Sequence, residues 1–569
     1  MTSSAVRTLC GLALASALLV ACSSLEDQQP ATTISPMPGL GSSTFNVTTR
    51  DEQTRAWFVQ GLLLTYAFEH EEAVRVFRAA LARDPSCAMC AWGVAYALGP
   101  NINNSDRGPV RDIRRFVARA QQASAAVTPL ERALINAMAV RYGRAEERAQ
   151  QAYEAQGSAL CSTRKADKTD RKVDPQERAY AAAMGDVLQQ FPDNPDVVAL
   201  YADAVMSTMP WDWWDPKTGQ PNGAVGDVMA RLLATTRAHP QHTGALHFYV
   251  HVAEHSPNPQ LAATAADTLG TVAPEAPHLV HMGSHIYKNT GRFAEGSRAN
   301  EQALTVQKRF DAALKAQGVQ RPGRWDAHHL HFLWYSALME GRADLSLRAA
   351  REVAERWGNR GDGFGDYAQL LPLATLVRLQ LWDEVLAQPT TTLGVGLLEG
   401  YGSYARGMAY AHTGRLDQAK AELASVHRLQ NQATTQRAQM YGEPIPAKLM
   451  AQAHDTLAGA IARAERRFDE AVALLRKAAD IDDELGNDPP LLGGGARLAL
   501  AATLVQAGKA DEASKEITEA LRLNGPSAWT HLGLAQLAEL RGARDESLRQ
   551  AGLARVAWKN AERAALPRL

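Results

Sequence analysis

Helical spacing of apolar residues runs through almost the whole chain of 569 residues. Apolar side chains recur three and four positions apart, and Ala, Leu, Arg, Glu and Gln are abundant in the long stretches. These residue types favour the α-helix, whereas the helix breakers Pro and Gly are sparse there. The alternation of apolar and polar residues that a half-buried strand needs is nowhere sustained. The sequence therefore predicts an all-α fold.

A recurring set of small, aromatic and proline positions resembles the tetratricopeptide (TPR) repeat. Its first match is Trp57, Gly61, Ala73, Phe77, Ala80 and Pro85. Later matches are Gly407, Tyr410, Gly414 and Ala419; Gly459, Ala471 and Ala478; Gly508, Ala513 and Ala520; and Trp529, Leu532 and Gly533. The resemblance covers most of the chain and implies a TPR-like α-solenoid of about a dozen repeats of roughly 34 residues. Such arrays mostly present surfaces to partner proteins.

The first residues resemble the signal of a bacterial lipoprotein. Arg7 precedes an apolar run from Leu9 to Val20, which is too short for a permanent membrane span. The run ends in Leu-Val-Ala-Cys, which resembles a lipobox and implies cleavage before Cys22 and lipidation of its thiol. Ser23 then favours transfer to the outer membrane, where the protein would face the periplasm. An ordinary secretory signal with an incidental cysteine is the alternative.

Composition and pattern divide the chain into five segments. They are a signal peptide (1–21), a lipidated cysteine with a flexible tether (22–50), N-terminal repeats (51–240), central histidine-rich repeats (241–360) and C-terminal repeats (361–569). The expected partners are the membrane, through the lipid anchor, and a protein or peptide in the groove of the array. Acidic and basic residues nearly cancel, 61 against 60, which argues against nucleic-acid binding.

Cys87 and Cys90 are three positions apart, and an oxidising compartment would favour a disulfide between them. A copper(I) site made of the two thiolates is the alternative. Ala91 stands where covalent haem attachment needs a histidine, so a c-type haem is excluded here. Cys161 would be left without a partner.

Nine histidines crowd into the centre of the chain. They are His247, His251, His255, His278, His281, His285, His328, His329 and His331. The first three are four residues apart, so on an α-helix they share one face. His281 and His285 follow His247 and His251 by 34 residues each, which is one repeat period. A longer gap before His328 predicts an extended helix and loop from Ala313 to Arg324.

Aligned with the TPR pattern, eight of these histidines take positions that line the concave groove in that family; His329 does not. Clustered imidazoles repel one another's protons and stay neutral, and neutral imidazole is the commonest biological metal ligand. The eight are therefore predicted metal ligands for copper, iron or zinc, with Glu254 as a proton-transferring catalytic residue and Asp326 as a further carboxylate. The alternative for each is a histidine that is hydrogen-bonded within a polar groove.

Aromatic residues are expected to wall the metal pocket. The predicted lining residues are Trp211, Trp213, Trp214, Tyr249, Tyr287 and Tyr335, with Trp325 and Trp334 nearby. Asp212 and Asp215 would add ligands. Such a wall would stack an organic ligand and exclude water. Packing between repeats is the alternative, above all for Trp334.

The whole chain resembles a family of exported bacterial TPR proteins of undefined role. The shared features are the run from Cys87 to Gly93, the Pro-Trp-Asp segment from Pro210 to Asp212, and histidines in the central repeats. The first hypothesis is a periplasm-facing metalloprotein, an oxidase or hydrolase of a small organic molecule. A scaffold for a peptide or envelope-assembly partner, and a metal storage or delivery protein, are the alternatives. The resemblance itself implies no particular reaction.

Overall fold

A computed structural model describes residues 34–104, 108–142, 174–320, 326–389, 396–432, 435, 439–440, 443–486 and 488–563. The predicted signal peptide, Cys22, Cys161 and Trp325 lie outside these residues.

The described residues form 24 α-helices. They are α1 (Glu52–Tyr66), α2 (His70–Arg83), α3 (Ala88–Ala97), α4 (Val110–Gln122), α5 (Pro129–Arg141), α6 (Pro175–Gln190), α7 (Pro195–Ser207), α8 (Val225–Ala238), α9 (Thr243–Glu254), α10 (Ala263–Val272), α11 (Pro277–Thr290), α12 (Phe293–Ala316), α13 (Asp326–Met339), α14 (Ala343–Trp357), α15 (Gly363–Arg378), α16 (Trp382–Ala387), α17 (Gly396–His412), α18 (Leu416–Gln430), α19 (Ile445–Ala464), α20 (Phe468–Leu485), α21 (Ala496–Gln506), α22 (Ala510–Asn524), α23 (Ala528–Leu540) and α24 (Arg544–Ala557).

Each helix packs mainly against its neighbours in sequence, so the helices form a linear array of adjacent pairs. No β-strand longer than an isolated bridge occurs among the described residues. This arrangement confirms the predicted fold, an all-α TPR-like α-solenoid. The long helix α12 also reaches Ala316, as the gap between the histidine sets predicts.

Local sequence signals set the helix boundaries. The Asp51 side chain accepts a hydrogen bond from the Thr54 N–H at the start of α1, and Thr128 and Glu131 form a capping box at the start of α5. Gly291 ends α11 with φ 75°, a left-handed conformation in which a Cβ would clash. Breaks at these points create the short turns that let successive helices pack side by side.

Two large hydrophobic cores follow one another along the chain. The first extends from Ile34 to Leu314 and the second from Phe293 to Trp558. The histidine-bearing helices α9, α11 and α13 lie where these two cores meet. No helix in the described part of the chain combines the length and apolar character that crossing a membrane requires.

Both ends of the described chain fold back onto distant helices. Residues 34–50, which fall in the predicted flexible tether, are packed against the array instead, and Leu40, Phe45 and Val47 are buried. In the N-terminal segment, the Ser42 carbonyl accepts a hydrogen bond from the Thr243 N–H at 3.1 Å, next to the start of α9. Buried Asp196 of α7 helps to hold the same segment, because its carboxylate accepts hydrogen bonds from Ser43 and Thr44. At the other end, the Trp558 indole donates to the Met339 carbonyl at 2.9 Å.

Candidate metal centre

Six of the predicted histidines meet in one buried cluster of two groups. Site 1 consists of His247, His251 and His278, and site 2 consists of His281, His285 and His328. Within each group, one ligand nitrogen from each residue lies within 4.8 Å of the others. None of the six residues is more than 8 % exposed. Helices α9 and α11 supply site 1, whereas α11 and α13 supply site 2, so α11 joins the two sites.

Aromatic rings cover the histidine face, which the sequence predicts to line an open groove. The Phe68 ring, in the turn between α1 and α2, lies 4.5 Å from the His247 ring and 5.2 Å from the His278 ring. On the other side, the Phe332 ring lies 4.4 Å from that of His285. The cluster is therefore enclosed rather than open, since none of its six histidines is more than 8 % exposed.

In site 1, a backbone carbonyl fixes the orientation of His247. Its Nδ1 lies 2.6 Å from the Tyr66 carbonyl oxygen, which can only accept, so Nδ1 carries the proton. The neutral ring therefore has its lone pair on Nε2, and this atom lies 3.2 Å from the Nε2 of His278. Two ring nitrogens at this separation need a shared proton or metal ion between them.

Site 2 repeats this arrangement with a side-chain amide. The Asn300 Oδ1 accepts from the Nδ1 of His281 at 2.6 Å, because the amide nitrogen of Asn300 already donates to the Gly296 carbonyl. The lone pair of His281 is therefore on Nε2, 3.0 Å from the Nε2 of His285. In both sites, an oxygen on the far side of the ring directs one imidazole nitrogen toward a partner.

Glu254 links the two sites. Its Oε1 lies 2.8 Å from the Nδ1 of His251 in site 1, and its Oε2 forms an ion pair with the Nδ1 of His285 in site 2. Asp488 lies 3.2 Å from the same His285 atom and 3.7 Å from the Lys288 ammonium. Carboxylates that hold the outer nitrogen of a histidine are the usual support of metal-bound imidazoles.

Burial lowers the pKa of most of these imidazoles, and neighbouring histidine charges lower it further. The affected residues are His247, His278, His281 and His328. Burial acts the same way on His285, but Glu254 and Asp488 outweigh it and raise its pKa to about 10. The same histidine keeps the pKa of Glu254 low despite burial. At neutral pH, the imidazoles of site 1 and those of His281 and His328 therefore offer free lone pairs, as a metal site requires, whereas His285 must release a proton to bind a metal.

Several buried polar atoms in the cluster have no hydrogen-bond partner among the described residues. They include the Nε2 of His251, the Nε2 of His255 and the Oδ2 of Asp488. An unpaired buried polar atom costs about 1–3 kcal/mol, so the folded chain gains if a ligand satisfies it. The nitrogen pairs also have a suitable spacing, because two ligands on a tetrahedral ion with bonds of roughly 2.0–2.1 Å are about 3.3 Å apart. The donor set therefore fits a transition-metal ion in each site.

The remaining predicted ligands lie at the edge of the cluster or outside it. His255 groups with Glu254 and Asp488, within 4.8 Å, and its ring lies 5.6 Å from that of Trp211. His331 belongs to neither site, because its Nε2 lies 2.6 Å from the Tyr367 hydroxyl. Its ring stacks on Trp334 at 5.2 Å, on the side of α13 that faces the second core.

His329, which the TPR pattern excludes from the groove, is completely buried beside site 2. Its ring centroid lies 4.7 Å from that of His281, and neither of its nitrogens has a hydrogen-bond partner among the described residues. The TPR pattern places His329 away from the groove histidines, but in the structure it is buried next to one of them.

Three of the six predicted lining aromatics lie near the cluster. The Trp211 ring lies 5.6 Å from the His251 ring, and the Trp213 ring lies 6.5 Å from that of His255. The Trp214 indole donates to the Val252 carbonyl at 2.8 Å and so attaches this loop to α9.

The other three aromatics pack between helices, as the alternative interpretation allows. The Tyr249 hydroxyl donates to the Leu261 carbonyl at 3.1 Å, and that of Tyr287 donates to Asp267 at 2.8 Å. Tyr335 is buried in the second core, against Phe293. Their prediction as pocket-lining residues is therefore wrong, because these positions face neighbouring helices rather than the histidines.

The other candidate ligands also have local roles. Asp215 accepts hydrogen bonds from the backbone N–H groups of Lys217 and Thr218 in a turn, and Asp326 forms an ion pair with Arg356 at 2.6 Å. Asp212 belongs to none of the groups that could hold a metal among the described residues.

Cys87 and Cys90 are joined in a disulfide at the start of α3, with the sulfur atoms 2.06 Å apart. A disulfide leaves no thiolate, so the structure gives no support to the copper(I) alternative.

Sequence patterns miss the supporting residues of the cluster. Asp488 lies in a loop more than 200 residues after His285, whereas Tyr66 ends α1 and Phe68 lies in the turn between α1 and α2. Only Asn300 could have been found from the sequence. It lies on α12, the helix that follows His281, on the face that packs against α11. The others become neighbours only through closure of the array, which has no local sequence signal.

No protein-family model and no curated protein matches this chain. Similar solved structures include the crystal structure of the APC/C hetero-tetramer Cut9-Hcn1, at 13 % identity over 91 % of this chain and 97 % of that chain, with a TM-score of 0.24. Another is the structure of Naa15/Naa10 bound to HypK-THB, at 11 % identity over 89 % of each chain, with a TM-score of 0.22. Similarity at this level transfers no functional residue or partner to this chain.

Proposed function

We propose that this protein binds two transition-metal ions side by side, one in site 1 and one in site 2. The observation that carries the proposal is the pair of three-histidine groups, in which the Nδ1 atoms of four of the six histidines lie beside oxygen acceptors. Imidazole ligands supported by carboxylates suit copper, iron or zinc, whereas calcium and magnesium prefer oxygen donors. Glu254 contacts a histidine of each site, so the two sites form one unit.

Three protein ligands per ion leave a coordination position for water or a substrate, which is typical of catalytic rather than structural sites. We therefore propose an oxidase or hydrolase of a small organic molecule, in which the metal would activate dioxygen or water. The chain supplies orientation and exclusion of water. Phe68 and Phe332 shield the imidazoles, and Glu254 holds two of them in place. Both carboxylate oxygens of Glu254 contact histidines, which favours a positioning role over the predicted proton transfer.

The proposed location is the cell envelope, with the chain anchored to the outer membrane through lipid on Cys22. It rests on the resemblance of residues 1–22 to a lipoprotein signal, which lies outside the described residues. Radiolabelled palmitate would be incorporated by the intact chain and lost in Cys22→Ala, whereas Cys161→Ala would keep the label. Equal labelling of all three would contradict the proposal.

Metal analysis of purified protein tests the proposed metal sites. We expect about two equivalents of bound metal per chain after loading with zinc or copper and desalting. His278→Ala should remove one equivalent, His328→Ala should remove the other, and the double variant should bind neither. The matched control is His454→Ala, since His454 lies on α19 and pairs with Asp455 away from the cluster. Less than one equivalent in the wild type, or retention of both in the double variant, would overturn the proposal.

A protein-binding scaffold is the second candidate, because the α-solenoid fold is one that commonly presents surfaces to partners. It predicts that an envelope protein captured by the chain stays bound after chelation and in the double histidine variant. A metal storage or delivery role instead predicts more than two bound ions without turnover. Stoichiometry and partner capture with and without chelator therefore separate the three functions.

A further inference from the structure

A cavity that is partly open to solvent lies in the C-terminal repeats, apart from the histidines. It has a volume of about 330 Å³ and is bounded by α15, α17, α19, α21 and α23. This volume is at the lower end of the range for small-molecule sites, about 300–1,000 Å³. The wall combines apolar side chains with a few polar groups, which is the usual composition of such a site. The apolar part includes Met408, Leu475 and Trp529.

The charged groups in the wall of this cavity have one sign. Arg378 and Arg463 line it, and the described residues of the wall include no aspartate or glutamate. The Arg378 guanidinium stacks on the Trp529 ring at 3.9 Å, and its Nε donates a long hydrogen bond of 3.4 Å to the Gly493 carbonyl. Asp482 acts on it only through space, since no carboxylate of the described residues forms an ion pair with Arg378. A buried guanidinium of this kind gains from a carboxylate partner, which it can bind with two hydrogen bonds.

Neutral polar groups complete the wall. Tyr401 and Tyr404 come from α17 and Gln452 comes from α19. Among the described residues, neither tyrosine hydroxyl nor the Gln452 amide has a hydrogen-bond partner. Burial raises the pKa of both tyrosines, so their hydroxyls remain protonated donors at neutral pH. Three hydrogen-bond donors therefore line the same cavity as Arg378, together with apolar side chains.

We propose that this cavity binds a small organic acid. Its carboxylate pairs with Arg378 and accepts hydrogen bonds from Tyr401, Tyr404 or Gln452, and its apolar body lies against Met408, Leu475 and Trp529. This site is separate from sites 1 and 2, so it does not depend on the proposed metal function.

Isothermal titration calorimetry with 3-phenylpropionate and with its neutral amide, 3-phenylpropionamide, tests the proposal on the full-length protein. We expect the acid to bind at least about tenfold more tightly than the amide, because the amide cannot form the charge-assisted pair. Arg378→Gln should weaken binding of the acid by about tenfold or more and leave binding of the amide unchanged. Arg298→Gln is the matched control, since its side chain is 66 % exposed and far from the cavity.

Equal affinity for acid and amide, the same affinity in Arg378→Gln, or no binding of the acid would overturn the proposal. Circular dichroism checks that Arg378→Gln folds. If it does not fold, Tyr404→Phe and the comparison of acid with amide on the wild type still decide the question. The metal-free protein and the His278→Ala, His328→Ala variant should bind the acid as the wild type does. Failure of this proposal is therefore distinguishable from failure of the metal sites.

Discussion

At the scale of single residues, Glu254 connects the two histidine groups. One carboxylate oxygen holds His251 of site 1 and the other holds His285 of site 2. A carboxylate can accept at both oxygens, whereas an amide accepts at one and donates at the other. An amide at position 254 would therefore fit one of the two histidines and oppose the other.

Glu254→Gln should consequently lower the affinity for metal by about 10–100-fold in at least one site, the usual effect of losing such a support. Competition with a chromophoric chelator measures both binding constants. Glu275→Gln is the control, because Glu275 pairs with Arg309 at the surface. Two unchanged constants in Glu254→Gln would show that the carboxylate does not orient the ligands.

Asp203, which lies outside the histidine cluster, provides a prediction about the pH dependence of stability. Burial raises its pKa to about 6, although the hydroxyl of Tyr96 donates to it at 2.7 Å. The folded chain thus binds this proton more tightly than the unfolded chain, whose aspartates titrate near 3.9. The resulting stabilisation is complete below about pH 4 and is lost as the pH rises through about 6. A shift of about two units corresponds to about 3 kcal/mol.

Asp203→Asn should therefore match the wild type in stability near pH 4 and exceed it at pH 8, by up to about 3 kcal/mol. Urea unfolding at several pH values measures the difference. Exposed Asp193→Asn controls for the loss of a carboxylate on the surface. A constant difference between Asp203→Asn and the wild type across this range would contradict the assignment.

The spacing of the histidines was enough to predict that the six residues of sites 1 and 2 share faces of their helices, because residues three or four apart on a helix share a face whatever the helix packs against. The same argument also placed His331 with these histidines, although it belongs to neither group. At three residues from His328, it also lies near that face, and only the position of Tyr367 shows that it turns away. Local periodicity thus predicts which side chains share a face of a helix. It does not predict which neighbouring helix a residue at the edge of that face will contact.

At the scale of helices and turns, the left-handed backbone conformation of some turns is adopted by glycine and that of others by residues with a side chain. Gly291 and Gly341 fill such turns with φ of 75° and 78°. Phe68 and Arg466 do so with φ of 57° and 63°, although a residue with a side chain pays about 1–2 kcal/mol there. Strain of this kind persists where the side chain contributes something else. The Phe68 ring covers site 1, whereas Arg466 is exposed.

Phe68→Gly should relieve the backbone and yet lower the free energy of unfolding by about 2–4 kcal/mol, because removing a buried phenylalanine ring costs about 3–5 kcal/mol. Arg466→Gly makes the same backbone change without losing buried contacts, and we expect its stability to change by less than about 1 kcal/mol. Urea denaturation of the metal-free proteins compares the two. Equal effects would mean that the Phe68 ring contributes nothing to the cluster.

At the scale of the whole molecule, the histidine cluster lies at the junction of the two hydrophobic cores. Tyr66 and Phe68 reach it from the first repeat and Asp488 from a loop of the C-terminal half. The same loop continues to Leu492 and Gly494, which line the second cavity. Sequence periodicity predicted the helical array because the same local pattern of small and aromatic residues recurs in successive repeats. Closure of the array depends on contacts between residues hundreds of positions apart, and no repeat pattern encodes them.

Metal binding should therefore stabilise the junction and not only the central helices. A ligand at about a thousandfold excess over its dissociation constant adds about 4 kcal/mol to the free energy of unfolding. We expect zinc or copper to raise the melting temperature of the wild type and to slow hydrogen exchange both in the turn at 66–70 and in the loop at 488–492. The His278→Ala, His328→Ala double variant should show neither effect, and His454→Ala should show both. Protection confined to α9, α11 and α13 would mean that the histidines bind metal without joining the two halves of the chain.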